Sequence, residues 1–203
     1  MKIICIGRNY VEHIRELRNV VTSSPVFFLK PDTALLIRNR PFFYQTFSKE
    51  IHYEAELVLR ICKVGKNIQK RFANTYFDEI GIGLDMTARD LQDAAKEKGL
   101  PWTVAKGFDH SAPIGKFLPK SHFKDFRDIS YHLDLNGKTV QNGNSALMIY
   151  SFDDIIVHLS NFMTLRTGDY IFTGTPAGVG PVSIGDKLEA WIGGEKLLSC
   201  LIK

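Results

Sequence analysis

Long apolar runs are missing from this 203-residue chain. Stretches such as Val26 to Leu29 and Ala34 to Ile37 fall far short of the roughly 20 residues a membrane-crossing helix needs, so no membrane partner is expected. The opening Met1-Lys2-Ile3-Ile4-Cys5-Ile6-Gly7 is a short apolar run ended by glycine. It is too short for the roughly 7–15-residue apolar region of a secretory signal, and is expected to form a first strand rather than to direct export. Cysteine is scarce: Cys5, Cys62 and Cys200 each stand alone in an apolar, strand-like context. That excludes a disulfide framework and a zinc cluster and suits a reducing cytoplasm. Repeats and low-complexity tracts are also absent, and Gly and Pro are scattered as turn punctuation, so residues 1–203 are expected to form one domain.

Charge of one sign is not concentrated either. The net charge of +4 comes from dispersed residues, and the densest basic group, Lys63, Lys66, Lys70 and Arg71, has no interleaved aromatic platform. A solvated face explains it, and no nucleic-acid partner is expected. A mildly positive protein does favour small anions, because positive potential in a cleft raises their local concentration. With 44% hydrophobic and 24% charged residues, the chain has enough apolar material for a full core.

Strand-like runs lie at Lys2–Ile6, Val26–Lys30, Ala34–Ile37, Tyr53–Cys62, Glu79–Met86, Tyr131–Leu135, Tyr170–Thr173 and Lys187–Ile192. Two antiparallel hairpins are signalled by Asn136-Gly137 and Gly193-Gly194, each between alternating runs. Three helices are expected. Val11–Arg18 is short and marginal without packing. Thr87 to about Lys98 has Thr87 as N-cap, Asp90 three residues on, and Gly99 and Pro101 as stops. Phe152–Met163 follows Ser151 as N-cap, with Asp153 and Asp154 in its first turn. Many strands and few helices predict an α+β, mainly β fold and disfavour a parallel βαβ architecture.

Glu54 and Glu56 stand two apart in His52-Tyr53-Glu54-Ala55-Glu56-Leu57, so on a strand both carboxylates project from one face. Like charges that close repel, so the site must be open to water, share a proton or bind a cation. Spacing alone leaves an exposed strand edge and a metal site equally open. Asp85 tips the balance: it ends the apolar run Glu79-Ile80-Gly81-Ile82-Gly83-Leu84, a strand-end position that commonly displays functional groups. Three carboxylates without Cys or His at ligand spacing suit Mg²⁺ or Mn²⁺ better than zinc. His52 adjoins the pair on the Glu54 face and is left unassigned.

Several blocks resemble, in order and across nearly the whole chain, the fumarylacetoacetate hydrolase family. They are Ile6-Gly7-Arg8-Asn9-Tyr10, Phe28-Leu29-Lys30-Pro31, His52-Tyr53-Glu54-Ala55-Glu56-Leu57, Leu84-Asp85-Met86-Thr87-Ala88-Arg89-Asp90-Leu91-Gln92, Lys98-Gly99-Leu100-Pro101-Trp102 and Thr173-Gly174-Thr175-Pro176-Ala177-Gly178-Val179-Gly180. The similarity is to the short, single-domain branch with acylpyruvases and oxaloacetate decarboxylases.

This resemblance implies a mixed β-sandwich roll with a few short helices, a homodimer, and one Mg²⁺ or Mn²⁺ per chain on Glu54, Glu56 and Asp85, chelated by an α-keto acid. It further implies that His13 and Glu16, on a mobile lid over residues 11–24, form a water-activating dyad. Three apart on a helix, they face each other, so Glu16 can orient His13 as a general base. Lys106 matches a lysine beside the metal that stabilises growing negative charge, and Arg89 and Gln92, on one helix face, match residues lining the substrate pocket. The Gly174-Thr175-Pro176-Ala177-Gly178 block lacks nucleotide-loop spacing and reads as a backbone cradle for a carboxylate, with Thr175 donating its hydroxyl. The segment Asn39-Arg40-Pro41-Phe42-Phe43-Tyr44 departs from the family pattern and leaves a pocket wall open.

The expected activity is metal-dependent C–C cleavage of a small α-keto acid: acylpyruvate hydrolysis, oxaloacetate decarboxylation, or both. One alternative is an isomerase of the 2-hydroxy-hepta-diene-dioate or oxaloacetate tautomerase type. The other, of a different class, is a non-catalytic metal- and ligand-binding homodimer.

Overall fold

The computed structural model describes residues 1–17 and 20–203. Seven strands form the largest sheet, in the order Val26–Lys30, Ile3–Gly7, Tyr170–Phe172, Ala55–Ile61, Phe77–Leu84, Ala112–Pro119 and Leu35–Leu36. The pairs Ile3–Gly7 with Tyr170–Phe172 and Leu35–Leu36 with Ala112–Pro119 are parallel, and every other pairing in it is antiparallel. A four-stranded antiparallel sheet runs Lys138–Asn144, Ser130–Leu135, Lys187–Ile192, Glu195–Leu201, and a small one runs Gly180–Pro181, Ile51–Tyr53, Thr87–Ala88. The mainly β expectation holds, and both hairpins form at Asn136-Gly137 and Gly193-Gly194. Asn136 (φ 54°) and Gly137 (φ 78°) both take the left-handed backbone that the tight turn demands.

Period-two alternation explains how the large sheet is covered on both faces. Ile4 and Ile6, with Leu57 and Leu59, enter the main core against Leu133, Leu188, Ala190 and Leu198 of the four-stranded sheet. Ile3 and Cys5, with Val58 and Phe172, form a second cluster on the opposite face. Each such fully buried aliphatic side chain contributes about 1.5–3 kcal/mol.

The helices are shorter than their sequence signals. Val11–Glu16 is helical, and the expected end at Arg18 lies outside the described residues. Phe152–Phe162 has the full capping box of Ser151 with Asp154. The middle helix needs correction: it spans Arg89–Glu97, and Thr87 is not its N-cap. Thr87 instead pairs with His52 in the small sheet, and its hydroxyl donates to the Asp85 carbonyl at 3.1 Å. Sheet pairing and a buried polar network outcompete the capping motif there. The stop is as expected, with Gly99 at φ 64° and the Leu100 N–H reaching back to the Ala95 carbonyl.

The sheet corner matters most for function. Ala55 pairs with Leu84 in the large sheet, while Ile51 and His52 pair with Ala88 and Thr87 in the small one. Both segments therefore switch sheets at the same level, one at Glu54 and the other at Asp85, whose N–H donates to the Glu54 carbonyl at 2.8 Å. Glu54 is thus a break between two strands, not the middle of one.

Candidate functional site

The corner brings the expected trio together. Carboxylate oxygens of Glu54, Glu56 and Asp85 all lie within 4.8 Å of one another, and the three residues are at most 5% exposed. Octahedral coordination at about 2.0–2.1 Å places ligand oxygens about 3–4.2 Å apart, so this spread suits one divalent cation.

Burial of three acids is offset unevenly. Lys106 Nζ donates to Glu54 Oε2 at 2.8 Å, Asp85 Oδ2 at 2.7 Å and Thr87 Oγ1 at 2.6 Å, which uses all three of its N–H groups. Arg89 binds the other Glu54 oxygen. Burial alone would raise the Glu54 carboxyl, but Lys106, Arg89 and His13 outweigh it and hold Glu54 ionised, well below the usual carboxylate range. Glu56 goes the other way: burial, then the Asp85 and Glu54 charges, push it well above that range, against a 2.6 Å hydrogen bond from the Gly174 N–H and the more distant Lys106. Lys106 stays charged because Asp85 and Glu54 overcome the desolvation of its ammonium. Asp85 Oδ1 is buried without a hydrogen bond, since Lys30 Nζ sits 2.8 Å away but off the hydrogen-bonding direction. A high-lying carboxyl and an orphaned carboxylate oxygen, side by side, are the donor set a divalent cation would satisfy.

His13 and Glu16 come from the helix Val11–Glu16. His13 is buried and lines the same cleft as the trio, and its Nδ1 lies 3.3 Å from Glu16 Oε2. Desolvation lowers the imidazole below its ordinary 6.5 despite Glu54 and Glu16, so at neutral pH His13 is an uncharged base. With Nδ1–H turned to Glu16, Nε2 is left to take a proton. Glu16 also accepts from the Gly178 N–H at 3.0 Å, tying its helix to the glycine-rich block. The start of that helix is fixed by Asn9, whose side chain donates to the Thr173 and Tyr150 carbonyls and accepts from the Tyr150 N–H.

Arg89, Gln92 and Thr175 all line the cleft. Arg89 donates to Gln92 Oε1 as well as to Glu54, and its Nε lies 3.5 Å from His52 Nδ1. His52 thus reaches the site through Arg89. The glycine-rich block does cradle a carboxylate, but the one it holds is Glu56, and the Thr175 hydroxyl accepts from Gln141 at 2.9 Å, leaving its proton free to donate. Gly174 has φ 101°, and an added Cβ would sit 2.7 Å from Asn9 Cβ. Gly174→Ala is therefore expected to cost about 1–3 kcal/mol in thermal unfolding and to weaken metal binding, because the amide that holds Glu56 shifts.

Sequence reasoning gave no role to Lys30, which closes an apolar strand, is buried beside Asp85, and donates to the Lys106 carbonyl and, at 3.0 Å, to Ser111 Oγ. A lone charge ending the run Val26-Phe27-Phe28-Leu29 was the available signal. It also passed over the buried phenol pair Tyr10 and Tyr131, 2.9 Å apart, which nothing local announces.

Fold and site together define a protein of mixed β architecture with a buried carboxylate site suited to a divalent cation. The family described as fumarylacetoacetate (FAA) hydrolase C-terminal matches residues 2–201, and the chain belongs to the fumarylacetoacetate hydrolase family. Over 192 residues it is 43% identical to oxaloacetate tautomerase FAHD1, mitochondrial, of Homo sapiens, covering 95% of this chain and 87% of that protein. It is 42% identical over 194 residues to the mitochondrial oxaloacetate decarboxylase of Dictyostelium discoideum, covering 95% and 89%. The crystal structure of fumarylpyruvate hydrolase from Pseudomonas aeruginosa in complex with Mn²⁺ and pyruvate superposes with a TM-score of 0.94 at 37% identity, covering 100% of this chain and 89% of that one. No described helix is long and apolar enough to cross a membrane.

Proposed function

We propose that this chain is a metal-dependent enzyme that cleaves the C–C bond of a small α-keto acid, hydrolysing acylpyruvates, decarboxylating oxaloacetate, or both, with pyruvate as the common product. The observation that carries this is the buried Glu54, Glu56 and Asp85 cluster sharing one cleft with a neutral His13 braced by Glu16. Those three carboxylates would hold one Mg²⁺ or Mn²⁺ per chain, which when bound supplies Lewis-acid polarisation of the keto and carboxylate oxygens.

Everything else falls to the chain's own side chains. In hydrolysis His13 Nε2 takes a proton from water, the hydroxyl adds to the C4 carbonyl, and the C3–C4 bond breaks with its electron pair delocalised onto the 2-keto oxygen. Glu16 stabilises the imidazolium, which returns the proton to C3 to release pyruvate. Lys106, whose three N–H groups are already taken, acts through its fixed positive charge. Arg89, Gln92 and Thr175 orient the substrate. Decarboxylation needs no water and leaves His13 only the final protonation. A second reading, oxaloacetate tautomerisation, is favoured by the human relative's name and uses the same base to move one proton between C3 and the enol oxygen, without breaking a C–C bond.

The unit is the whole chain, 1–203, with residues 11–24 as the lid, working in the reducing cytoplasm that suits the free Cys5, Cys62 and Cys200. A homodimer is supported by an apolar groove along the edge strand Val26–Lys30, where Leu29 and Leu100 are exposed; sedimentation as a monomer at micromolar concentration would remove it.

Pyruvate release from acetylpyruvate and from oxaloacetate, with Mg²⁺ and with chelator, tests the reading. Absent turnover of both, and of oxaloacetate enol, would favour the non-catalytic alternative, and chelator-insensitive turnover would overturn the metal dependence. His13→Ala should lower hydrolysis about 10²–10⁴-fold and decarboxylation far less. Because desolvation lowers His13 below 6.5, wild-type hydrolysis should hold at pH 6.5 and fall only at more acidic pH, as the imidazole gains its proton. A fall already centred above pH 6.5 would contradict its role.

A further inference from the structure

Four cationic side chains line the cleft: Arg8, Arg89, Lys96 and Lys106. Three are committed to the protein's own carboxylates, Arg89 to Glu54, Lys106 to Glu54 and Asp85, and Lys96 to Asp93 at 3.2 Å. Among the described residues no carboxylate pairs with Arg8, and its Nε is buried without a hydrogen-bond partner. A buried donor on a charged group is not left unpaired without reason.

The backbone around Arg8 is built to hold that arrangement. Arg8 has φ 61°, a left-handed conformation that side-chain-bearing residues avoid. Its neighbours impose it: Gly7 is paired with Val26 in the sheet, and Asn9 is locked by Thr173 and Tyr150. Strain maintained by its surroundings at the rim of a cleft is a mark of function. The Arg8 guanidinium carbon lies 6.0 Å from the centre of the Trp102 ring, which also lines the cleft and limits where the guanidinium can turn. Arg8 is half-buried, whereas the trio is nearly sealed, so of these groups Arg8 is the one open to solvent.

Charge balance points the same way. Lys30, Lys106 and Arg89 match the three acids. A divalent cation adds two positive charges, the head carboxylate of a keto acid removes one and Glu16 beside the neutral His13 removes another, so the positive charge left over is that of Arg8. A second carboxylate on the substrate is the complement, and a guanidinium is the group that holds one in two-point contact.

Resting on the keto-acid reading above, we propose that Arg8 is the specificity-determining residue that binds the distal carboxylate of a dicarboxylic α-keto acid, selecting such dioates over acylpyruvates with an uncharged tail. The test uses two unreactive five-carbon ligands with the same keto-acid head, 2-oxoglutarate and 2-oxovalerate, which differ only in the distal carboxylate. Calorimetry on the Mg²⁺-loaded protein should give about tenfold or tighter binding of 2-oxoglutarate. Arg8→Met should erase that preference while leaving 2-oxovalerate within about twofold, and Arg8→Lys should keep part of it. Methionine meets the same backbone strain as arginine, so an unchanged melting temperature is expected for both variants. In turnover, Arg8→Met should raise KM for oxaloacetate more than it lowers kcat and spare acetylpyruvate. Equal weakening of both ligands in Arg8→Met, or no preference in the wild type, would overturn the assignment. Failure of the Mg²⁺-loaded protein to bind either ligand would instead overturn the keto-acid reading itself.

Discussion

Replacing Glu56 by Gln is expected to abolish metal-supported turnover while making the metal-free protein more stable. The two effects have one origin. Glu56 is buried beside Asp85 and Glu54, and unlike Glu54 it has no cation hydrogen-bonded to it, only the Gly174 amide. Its carboxyl therefore sits well above the usual range, so ionising it costs free energy in the folded chain and little in the unfolded one. For an acid shifted upwards, the associated stability is complete below the ordinary value of 4.5 and is lost as pH rises towards the folded-state value. Glutamine imitates the protonated form and keeps an oxygen for the Gly174 N–H. The metal-free variant should thus gain about 1 kcal/mol or more at pH 7, or about 2–4 °C in melting temperature, and nothing at pH 4. With Mg²⁺ the order inverts, since a lost ligand should weaken affinity at least about 100-fold, more than the loss of an outer partner does. Calorimetric melting with chelator at both pH values, and Mg²⁺ titration at pH 7, check both halves. An unchanged Mg²⁺ affinity would remove the carboxylate trio as the metal site.

Lys106→Met separates charge from folding in the opposite sense. The ammonium is buried and shared by Glu54, Asp85 and Thr87, so its removal strands two carboxylates. Breaking a buried pair from one side costs about 3–5 kcal/mol, so the metal-free variant should melt markedly lower. A bound divalent cation competes with that ammonium for the same two acids, and Mg²⁺ affinity should therefore rise or hold, with the metal recovering part of the lost stability. Turnover should nonetheless fall about 10²–10³-fold, because a fixed positive charge near the developing negative charge is gone. Lower Mg²⁺ affinity together with unaffected turnover in the metal-saturated variant would show Lys106 to be structural alone.

Where local rules decide, the chain was legible. Asn136-Gly137 specifies its hairpin because both residues tolerate positive φ, Ser151 and Asp154 cap their helix reciprocally, and Gly99 ends another. Glu54 and Glu56 were recognisable as a costly pair from their spacing, although the reason they meet differs from the one spacing suggests: Glu54 lies at a break where the chain passes from one sheet to another. Thr87 shows local signals losing, since its capping pattern was sound but its hydroxyl and backbone are used by Lys106, Asp85 and His52.

By itself, then, the sequence determined a mainly β protein, its two hairpins, the costly same-face pair Glu54 and Glu56 and the helical spacing of His13 and Glu16, because each depends on neighbours a few residues away. Tertiary structure decided which acid stays ionised and which rises, that Lys30 stands beside Asp85, that the Gly174 amide holds Glu56, and that Arg8 is left without a carboxylate. Those outcomes depend on groups 21 to 118 residues apart in the chain, such as Lys106 with Asp85 and Gly174 with Glu56. Their charges interact strongly only because folding removes the water between them, and no local pattern records which charges will be brought together.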